Sequence, residues 1–145
     1  MKTKSTASLK RSLWRAFTAY VKARDNFTCV TCGRKVEGQN AQGGHYVAAG
    51  ACGLEYYFSE KNVHCQCSNC NLRLEGNRPA YRAFILRTYG EETLIDIETN
   101  YHRPCKWTQA DFEERIEYYK HRLQSISGGE VSPETLKQVL YAEPL

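Results

Sequence analysis

The sequence predicts an α+β fold that is mostly helical and is built around one cysteine-rich segment. Apolar residues recur at the spacing of an amphipathic helix both before and after this segment. Inside it, residues 27–58 carry short apolar runs separated by glycine-rich turns, which favour short strands. A Cys-x-x-Cys pair lies near each end of the segment, so the two ends can be held together in space.

Size and composition are those of one soluble domain. The chain has 145 residues, of which 41% are hydrophobic and 25% charged, and this balance is usual for a globular protein. We find no apolar run long enough to span a membrane and no signal peptide, so we expect a cytoplasmic protein with no membrane partner. We predict one domain over residues 1–127, then a linker and a short C-terminal helix over residues 128–145.

Charge is unevenly distributed along the chain. Residues 1–35 contain nine lysines or arginines and a single acid, Asp25. Residues 91–117 contain eight acids and three basic residues. This separation predicts a basic face that binds a polyanion such as nucleic acid, although a solvated face without a partner explains the pattern about equally well.

The N-terminal basic residues lie on a predicted helix over residues 5–23. Leu9, Leu13 and Phe17 recur at helical spacing and predict its buried side. The remaining positions carry the candidate phosphate-binding residues of this region: Lys10, Arg11, Arg15, Lys22 and Arg24.

The cysteine-rich segment is predicted to begin with a hairpin over residues 27–36. Gly33 suits the positive φ that follows a Cys-x-x-Cys turn. A loop then leads to two short strands, predicted over residues 45–47 and 54–58.

Helices are predicted for most of the remaining chain, over residues 68–75, 79–89, 92–101 and 109–126. Thr108 and Asp111 resemble a capping box in its acidic variant at the start of the last of these helices. A further short helix is predicted to begin at Ser132.

Four cysteines in two pairs predict a structural zinc site, because four thiolates complete a tetrahedral zinc shell and leave no open position. The predicted ligands are Cys29, Cys32, Cys67 and Cys70. Cys65 is a competing ligand, but only Cys67 has the required spacing from Cys70. The alternative, that these cysteines are small buried apolar residues, fits two separate pairs less well. The odd total of seven cysteines also argues against a disulfide framework.

One histidine and two asparagines in or beside this segment predict a site that hydrolyses phosphodiesters. His45 follows a Gly-Gly turn, and a neutral imidazole with a pKa near ~6.5 can act as a general base. Asn71 directly follows a zinc ligand and can offer its carbonyl oxygen to Mg²⁺. Asn62 can hold the imidazole in one tautomer. A lone histidine is more often structural, so the assignment of His45 depends on this context.

The order Cys-x-x-Cys, Gly-His, Asn-Val and Cys-x-x-Cys-Asn resembles that of the HNH, or His-Me finger, nucleases. The closer resemblance is to the NinG (Rap) recombination proteins of lambdoid phages, through LWRAFTAYVKARD, CVTCG, GGHYVAAG, FSEKNVHCQC, CNLRLEGN and AYRAFILRTYG. These stretches span about residues 13–90. The layout of the cysteine pairs is also similar to that of phage endonuclease VII, a resolvase of branched DNA.

The resemblance implies a zinc-stabilised ββα core and a structure-selective endonuclease that acts on branched DNA, such as Holliday junctions, in phage recombination. It implies a homodimer in the cytoplasm of the host bacterium. By the same resemblance His45 is the general base, Asn62 is its orienting amide, and Asn71 is a ligand of a catalytic Mg²⁺ or Mn²⁺ ion.

Gly44 departs from the HNH pattern, because many of these nucleases carry an acidic metal ligand directly before the histidine. We therefore expect another donor to complete the catalytic metal site. His64 lies two residues after Asn62 and faces the same side if the chain is extended there. Glu75 lies four residues after Asn71 and shares its face if the helix continues. We rank His64 above Glu75, since it lies within the HNH-like pattern.

Three further arginines are candidates for holding DNA phosphates beside the site: Arg73, Arg78 and Arg82. Such contacts position a duplex without reading its sequence, although each arginine is as well explained as a solvated helix residue.

Two other functions also fit the sequence. A zinc-stabilised DNA-binding adaptor without catalysis explains Gly44, and a protein-interaction module explains the fold if the basic helix is incidental.

Overall fold

The computed structural model describes residues 3–126. The predicted linker and short helix of residues 128–145 lie outside the described residues. In chain order the elements are α1 (Thr6–Arg24), β1 (Gln42–His45), α2 (Leu54–Tyr57), β2 (Val63–Gln66), a π-helical turn (Asn69–Arg73), α3 (Arg78–Tyr89), α4 (Glu91–Asn100) and α5 (Gln109–Ile126). The architecture is therefore α+β and mostly helical, as predicted. None of the helices in the described range combines the length and the apolar character that crossing a membrane needs.

Helix α1 lies within one residue of its predicted bounds. Ser5 caps its N-terminus by accepting a hydrogen bond from the Ser8 backbone N–H at 3.1 Å. The apolar stripe of α1 packs against α5 in the main core, which includes Leu9, Leu13, Phe17, Tyr20, Phe58, Phe112, Tyr119 and Leu123. Because this stripe is buried, the helix is held in one orientation and its basic side lies along the margin of the core.

The sheet of the described residues has two antiparallel strands, and they differ from the predicted ones. β1 pairs with β2 in a register that places Gly44 opposite His64 and His45 opposite Val63. The strand predicted over residues 45–47 thus begins three residues earlier. β2 was not predicted as a strand, although apolar and polar residues alternate along Val63–Gln66, and all four of its residues are buried.

Residues 54–58 form helix α2 and not the predicted second strand. The spacing of four residues between Leu54 and Phe58 brings both side chains to the main core. Tyr56, on a different side of the same turn, enters a second core. Helical geometry lets this short run serve two cores, which an isolated strand at this position would not do.

The first cysteine pair lies on the predicted hairpin. Thr28 and Lys35 form its β-bridge, and the Cys29 N–H donates to the Arg34 C=O at 2.8 Å. Gly33 has a φ of +80°, as predicted, which a side chain would disfavour. The turn therefore holds Cys29 and Cys32 on the inner side of the hairpin loop.

The helix predicted over residues 68–75 ends at Arg73. Glu75 and Asn77 have positive φ values of 50° and 48°, so the chain turns sharply before α3. Helices α3 and α4 then pack on β1 and α2 through the second core, which includes Tyr46, Tyr56, Tyr81, Ile85, Leu94 and Ile97.

The capping box predicted at α5 is confirmed. The Thr108 N–H donates to the Asp111 carboxylate at 2.8 Å, and the Asp111 N–H donates to the Thr108 hydroxyl at 3.1 Å. This reciprocal pair begins the helix at the predicted residue.

Candidate functional site

The four predicted zinc ligands come together. Their sulfur atoms all lie within 4.8 Å of one another, and Sγ of Cys32 is 3.7 Å from Sγ of Cys67. Tetrahedral zinc with bonds of about 2.3 Å requires sulfur–sulfur separations of about 3.8 Å, so the residues fit the ion. Cys65 is not part of this group of four, as expected from its spacing.

His45 lies at the end of β1, where α1 and α2 meet the sheet. Its Nε2 donates a hydrogen bond to the Tyr57 C=O at 2.9 Å. Since a carbonyl oxygen only accepts, the proton of the neutral ring is on Nε2 and Nδ1 is left as a base. Burial lowers the pKa of His45 to about 4, so the ring is neutral at pH 7.

The side chain of Trp14 forms one wall beside this imidazole. The two rings are parallel within 5°, with centroids 5.0 Å apart. The Tyr57 ring lies on a second side, 4.8 Å from the imidazole centroid. These aromatic contacts and the Tyr57 carbonyl hold the ring in one orientation.

Asn62 does not contact the imidazole, which corrects its predicted role. Its Oδ1 accepts from the Val47 N–H at 2.9 Å, and its Nδ2 donates to the Tyr56 C=O at 3.0 Å and the Val47 C=O at 3.3 Å. The fully buried amide therefore ties the loop after His45 to α2. Because α2 also carries the Tyr57 carbonyl, Asn62 acts on His45 through the backbone.

Asn71 lies in the π-helical turn, on the face of β1 opposite the imidazole. Its Nδ2 donates to Gln42 Oε1 at 2.9 Å, and its Oδ1 lies 3.0 Å from the place where a Cβ on Gly44 would be. Oδ1 is thus turned toward the strand and free of a hydrogen bond among the described residues. An amide oxygen in this position fits a hard divalent cation.

His64 is not placed to bind a catalytic metal ion, which corrects the prediction. The ring is fully buried, and its Nδ1 and Nε2 lie 3.0 Å and 2.7 Å from the hydroxyls of Tyr81 and Tyr89. Tyr81 in turn donates to the Gly44 C=O. The strand is extended there, as assumed, but it directs His64 into this internal network and supports the backbone of Gly44.

The helix that was predicted to place Glu75 on the same face as Asn71 ends at Arg73, before it reaches Glu75. Glu75 lies in the turn after Arg73, with a φ of 50°, so it does not share a helical face with Asn71. Glu75 instead lines a separate surface pocket with Arg78 and Pro79.

A basic groove of about 290 Å³ opens beside His45. It is lined by the N-terminal half of α1 and by α2, through Ala7, Lys10, Arg11, Trp14, Arg15 and Tyr57. Nζ of Lys10 lies 4.1 Å from the centroid of the Tyr57 ring. Nε of Arg15 is buried without a hydrogen-bond partner among the described residues. The two aromatic walls of the groove are the rings that contact His45.

Three of the residues predicted to contact DNA phosphates have a different environment in the structure. Arg24 binds Asp25 at 2.8 Å and donates to the backbone carbonyls of Glu60 and Val63, so it is a structural clamp. Lys22 is largely buried, and that burial lowers its pKa. Arg82 pairs with Glu98 at 3.0 Å on the surface.

Arg73 and Arg78 are exposed and form no ion pair among residues 3–126. Arg73 is the last residue of the π-helical turn that carries Asn71, and Arg78 is the first residue of α3. Sequence reasoning missed Trp14 and Tyr57 as parts of the site. The signal for Trp14 was its position four residues after Lys10 on the basic helix, which predicts that the two side chains are neighbours.

Comparison with known proteins identifies similar sequences in bacteriophages. The family model described as "Bacteriophage Lambda NinG protein" matches residues 1–128. "Protein ninG" of Escherichia phage lambda is 30% identical over an alignment of 128 residues that covers 80% of this chain and 62% of that protein. "Protein ninG" of Escherichia phage 933W is 30% identical and that of Salmonella phage P22 is 28% identical, each over 132 residues.

The chain spans less than two thirds of the length of these curated relatives, 62% of the first and 64% of the other two. No solved structure matches it.

Proposed function

This chain belongs to the NinG family of bacteriophage proteins, and from that premise we propose that it is a metal-dependent endonuclease that cuts branched DNA during phage recombination. In this proposal His45 is the general base and the basic groove beside it holds the DNA backbone. The observation that carries the proposal is the hydrogen bond from Nε2 of His45 to the Tyr57 carbonyl, because it leaves Nδ1 as a neutral, oriented base.

The arrangement of elements supports a His-Me finger core. Two antiparallel strands are followed by a helical turn, and the candidate base and the candidate metal ligand lie on opposite faces of β1. In the proposed complex a phosphate lies at the unpaired edge of β1, where water would be activated from the His45 face and a cation would be held from the Asn71 face. The zinc site supports this geometry because Cys70 directly precedes Asn71.

The proposed reaction is hydrolysis of one phosphodiester. Nδ1 of His45 removes a proton from water as the water oxygen attacks phosphorus. The P–O3′ bond breaks, and the leaving oxygen takes a proton from solvent, which yields a 3′-hydroxyl and a 5′-phosphate. A Mg²⁺ or Mn²⁺ ion bound by Asn71 would supply neutralisation of the charge on the phosphate.

The groove supports DNA as the substrate. Lys10, Arg11 and Arg15 supply positive charge along α1, next to the rings that hold His45. Arg73 and Arg78 are further exposed basic side chains, in and just after the turn that carries Asn71. Contacts of this type bind phosphates and carry no base sequence, which suits an enzyme that selects DNA by shape. The proposed setting is the host cytoplasm, and a homodimer would present two such sites to the arms of a junction.

The direct test compares wild type with His45→Ala on a labelled four-way junction in Mg²⁺. We expect cleavage by wild type, with 5′-phosphate products, and loss of at least about a hundredfold in rate for the variant, since general bases contribute on that order. His102→Ala is the matched control, because His102 is exposed in the turn after α4. Equal cleavage by wild type and His45→Ala would contradict the assigned base.

A second function is a DNA-binding adaptor without catalysis. The observation that favours it is that Gly44 carries no carboxylate and that the side chains nearest to this position, Gln66 and Asn71, are neutral amides. Junction binding in a gel shift, without nicking in Mg²⁺, Mn²⁺, Ni²⁺ or Zn²⁺, would select this function.

A further inference from the structure

A single side chain, Gln66, occupies the space beside Gly44. A Cβ built on Gly44 would overlap Oε1 of Gln66 and would lie 3.0 Å from Oδ1 of Asn71. Gly44 is therefore required here by close approach of another residue and not by its φ. The amide of Gln66 enters the volume that a side chain at position 44 would fill.

The amide of Gln66 is held in one orientation. Its Nε2 donates to the Gly76 C=O at 2.9 Å and to the Thr31 hydroxyl at 3.1 Å. Because the Gly76 carbonyl only accepts, the amide nitrogen must lie on that side and Oε1 must face Gly44. Thr31 lies between two zinc ligands, and Gln66 directly precedes a third, so the zinc site fixes this orientation.

Oε1 of Gln66 has no hydrogen-bond partner within residues 3–126, although the residue is fully buried. A buried amide oxygen without a partner is unfavourable, and such atoms are rare unless an ion or a water binds them. Nδ2 of Asn71 donates to Gln42, and Oδ1 of Asn71, beside the same glycine, accepts no hydrogen bond from the described part of the chain. Two carbonyl-type oxygens thus lie at one strand position without donors.

We propose that Gln66 Oε1 and Asn71 Oδ1 together form the protein side of a divalent-cation site, with Gln66 supplying the donor that Gly44 does not. The proposal rests on the proposed endonuclease function for its role, but the site is defined by these oxygens alone. Amide oxygens are hard donors that suit Mg²⁺ and Mn²⁺.

Both donors are neutral, so the protein itself supplies no negative charge to bind the cation. Mg²⁺ sites in proteins usually rely on carboxylates or on the phosphates of a substrate for negative charge. Here the charge must come from the DNA backbone. The cation should therefore bind weakly to the protein alone and more tightly when a DNA phosphate lies beside these two oxygens.

The test measures Mn²⁺ binding by the zinc-loaded chain. The EPR signal gives the concentration of free Mn²⁺, and paramagnetic broadening of side-chain NH₂ signals in NMR spectra shows where the ion binds. Titrations are run with Mn²⁺ alone and with a short DNA duplex present. We expect the Gln66 and Asn71 amides to broaden first, before the exposed amide of Gln39 and the partly exposed amide of Asn100, and DNA to increase the affinity. Broadening confined to other sites would overturn the proposal.

Gln66→Met retains the length of the side chain and removes its oxygen. We expect Mn²⁺ affinity to fall by about tenfold or more, as for other residues that complete a metal site, while Gln39→Met on the exposed loop leaves it unchanged. Zinc content and circular dichroism establish that both variants fold. Unchanged Mn²⁺ affinity in a folded Gln66→Met variant would overturn the proposal.

A paired substitution keeps the proposal testable if Gln66→Met does not fold. Gly44→Asp alone should lower the melting temperature, because the new side chain overlaps Gln66. The double variant Gly44→Asp with Gln66→Ala makes room for the carboxylate, so it should bind Mn²⁺ more tightly than Gln66→Ala alone. A Gly44→Asp variant as stable as wild type would contradict the close approach of Gln66 to Gly44.

The cation site and the nuclease function can fail separately. Mn²⁺ binding at Gln66 without DNA cleavage would refute the nuclease function only. His45-dependent cleavage without Mn²⁺ binding at Gln66 would refute the cation site only.

Discussion

The imidazole of His45 lies flat against the indole of Trp14, with their planes within 5° of parallel and their centroids 5.0 Å apart. Trp14 is on α1, the helix that also carries the basic groove, and His45 ends β1. The contact thus joins the surface proposed to bind DNA to the group proposed to activate water.

Replacing Trp14 by Leu should expose the imidazole to solvent. We expect the pKa of His45 to rise from about 4 toward its ordinary value near 6.5, since burial is the main cause of its low value. Titration of the imidazole by NMR measures this. Trp107→Leu is the control and should leave the His45 titration unchanged, because Trp107 packs on Phe58 and Phe112 and not on the imidazole. An unaltered pKa in Trp14→Leu would show that this ring does not shield the base.

Stability should decrease in mild acid because of His45. The unfolded chain binds a proton at this residue below about pH 6.5, whereas the folded state does so only near pH 4. Between these values the unfolded state holds more protons, so the free energy of unfolding falls as pH falls. Urea unfolding at about pH 7 and 5.5 should show a smaller loss for His45→Gln than for wild type.

The residual pH dependence of His45→Gln should come in part from His64. Burial holds the pKa of His64 well below 6.5, so it acts in the same direction. If wild type and His45→Gln lost equal stability over this range, the low pKa of His45 would be refuted.

Zinc removal should unfold the segment that carries the site. Binding of structural zinc is worth on the order of 10 kcal/mol in small zinc-dependent folds, so Cys32→Ser or a strong chelator should abolish the cooperative thermal transition. Metal analysis of wild type should give one zinc per chain. Cys105→Ser is the matched control, because Cys105 lies outside the cluster of four sulfurs. Retention of zinc by Cys32→Ser would contradict the ligand set.

Asn62→Ala should destabilise the fold although it leaves every contact of the imidazole ring in place. The variant loses bonds to both Val47 backbone groups and to the Tyr56 carbonyl. We expect a loss of roughly 2–4 kcal/mol, since buried backbone groups are left without partners. Chemical denaturation measures it, with Asn100→Ala, at a partly exposed asparagine, as control. A loss below about 1 kcal/mol would mean that water replaces the amide.

Binding of DNA should depend on salt through the groove on α1. Arg15→Ala should weaken binding and reduce the slope of log affinity against log salt by about 1, because one phosphate contact is lost. Fluorescence anisotropy with a labelled junction at several salt concentrations measures the slope. Lys120→Ala, on the exposed side of α5 beside Glu117, should leave it unchanged. An identical slope for both variants would remove Arg15 from the DNA contact.

Local patterns determined much of this protein in the sequence alone. The bounds of α1, α3, α4 and α5 follow from apolar spacing and capping, because each helix buries one continuous stripe. The capping box of Thr108 and Asp111 involves residues only three apart. The four-cysteine cluster that could hold zinc was identifiable because Cys-x-x-Cys spacing brings two sulfurs within reach of one ion.

Tertiary structure alone decided which atom of each polar residue faces which partner. Asn62, His64 and Gln66 alternate along one short stretch, yet one ties a loop, one enters a tyrosine network and one turns an oxygen toward Gly44. Their partners come from α2, α3 and the first cysteine turn, which are distant in sequence. The donors and acceptors around a buried amide or imidazole determine its orientation. Here these groups come together only after segments that are distant in sequence have packed.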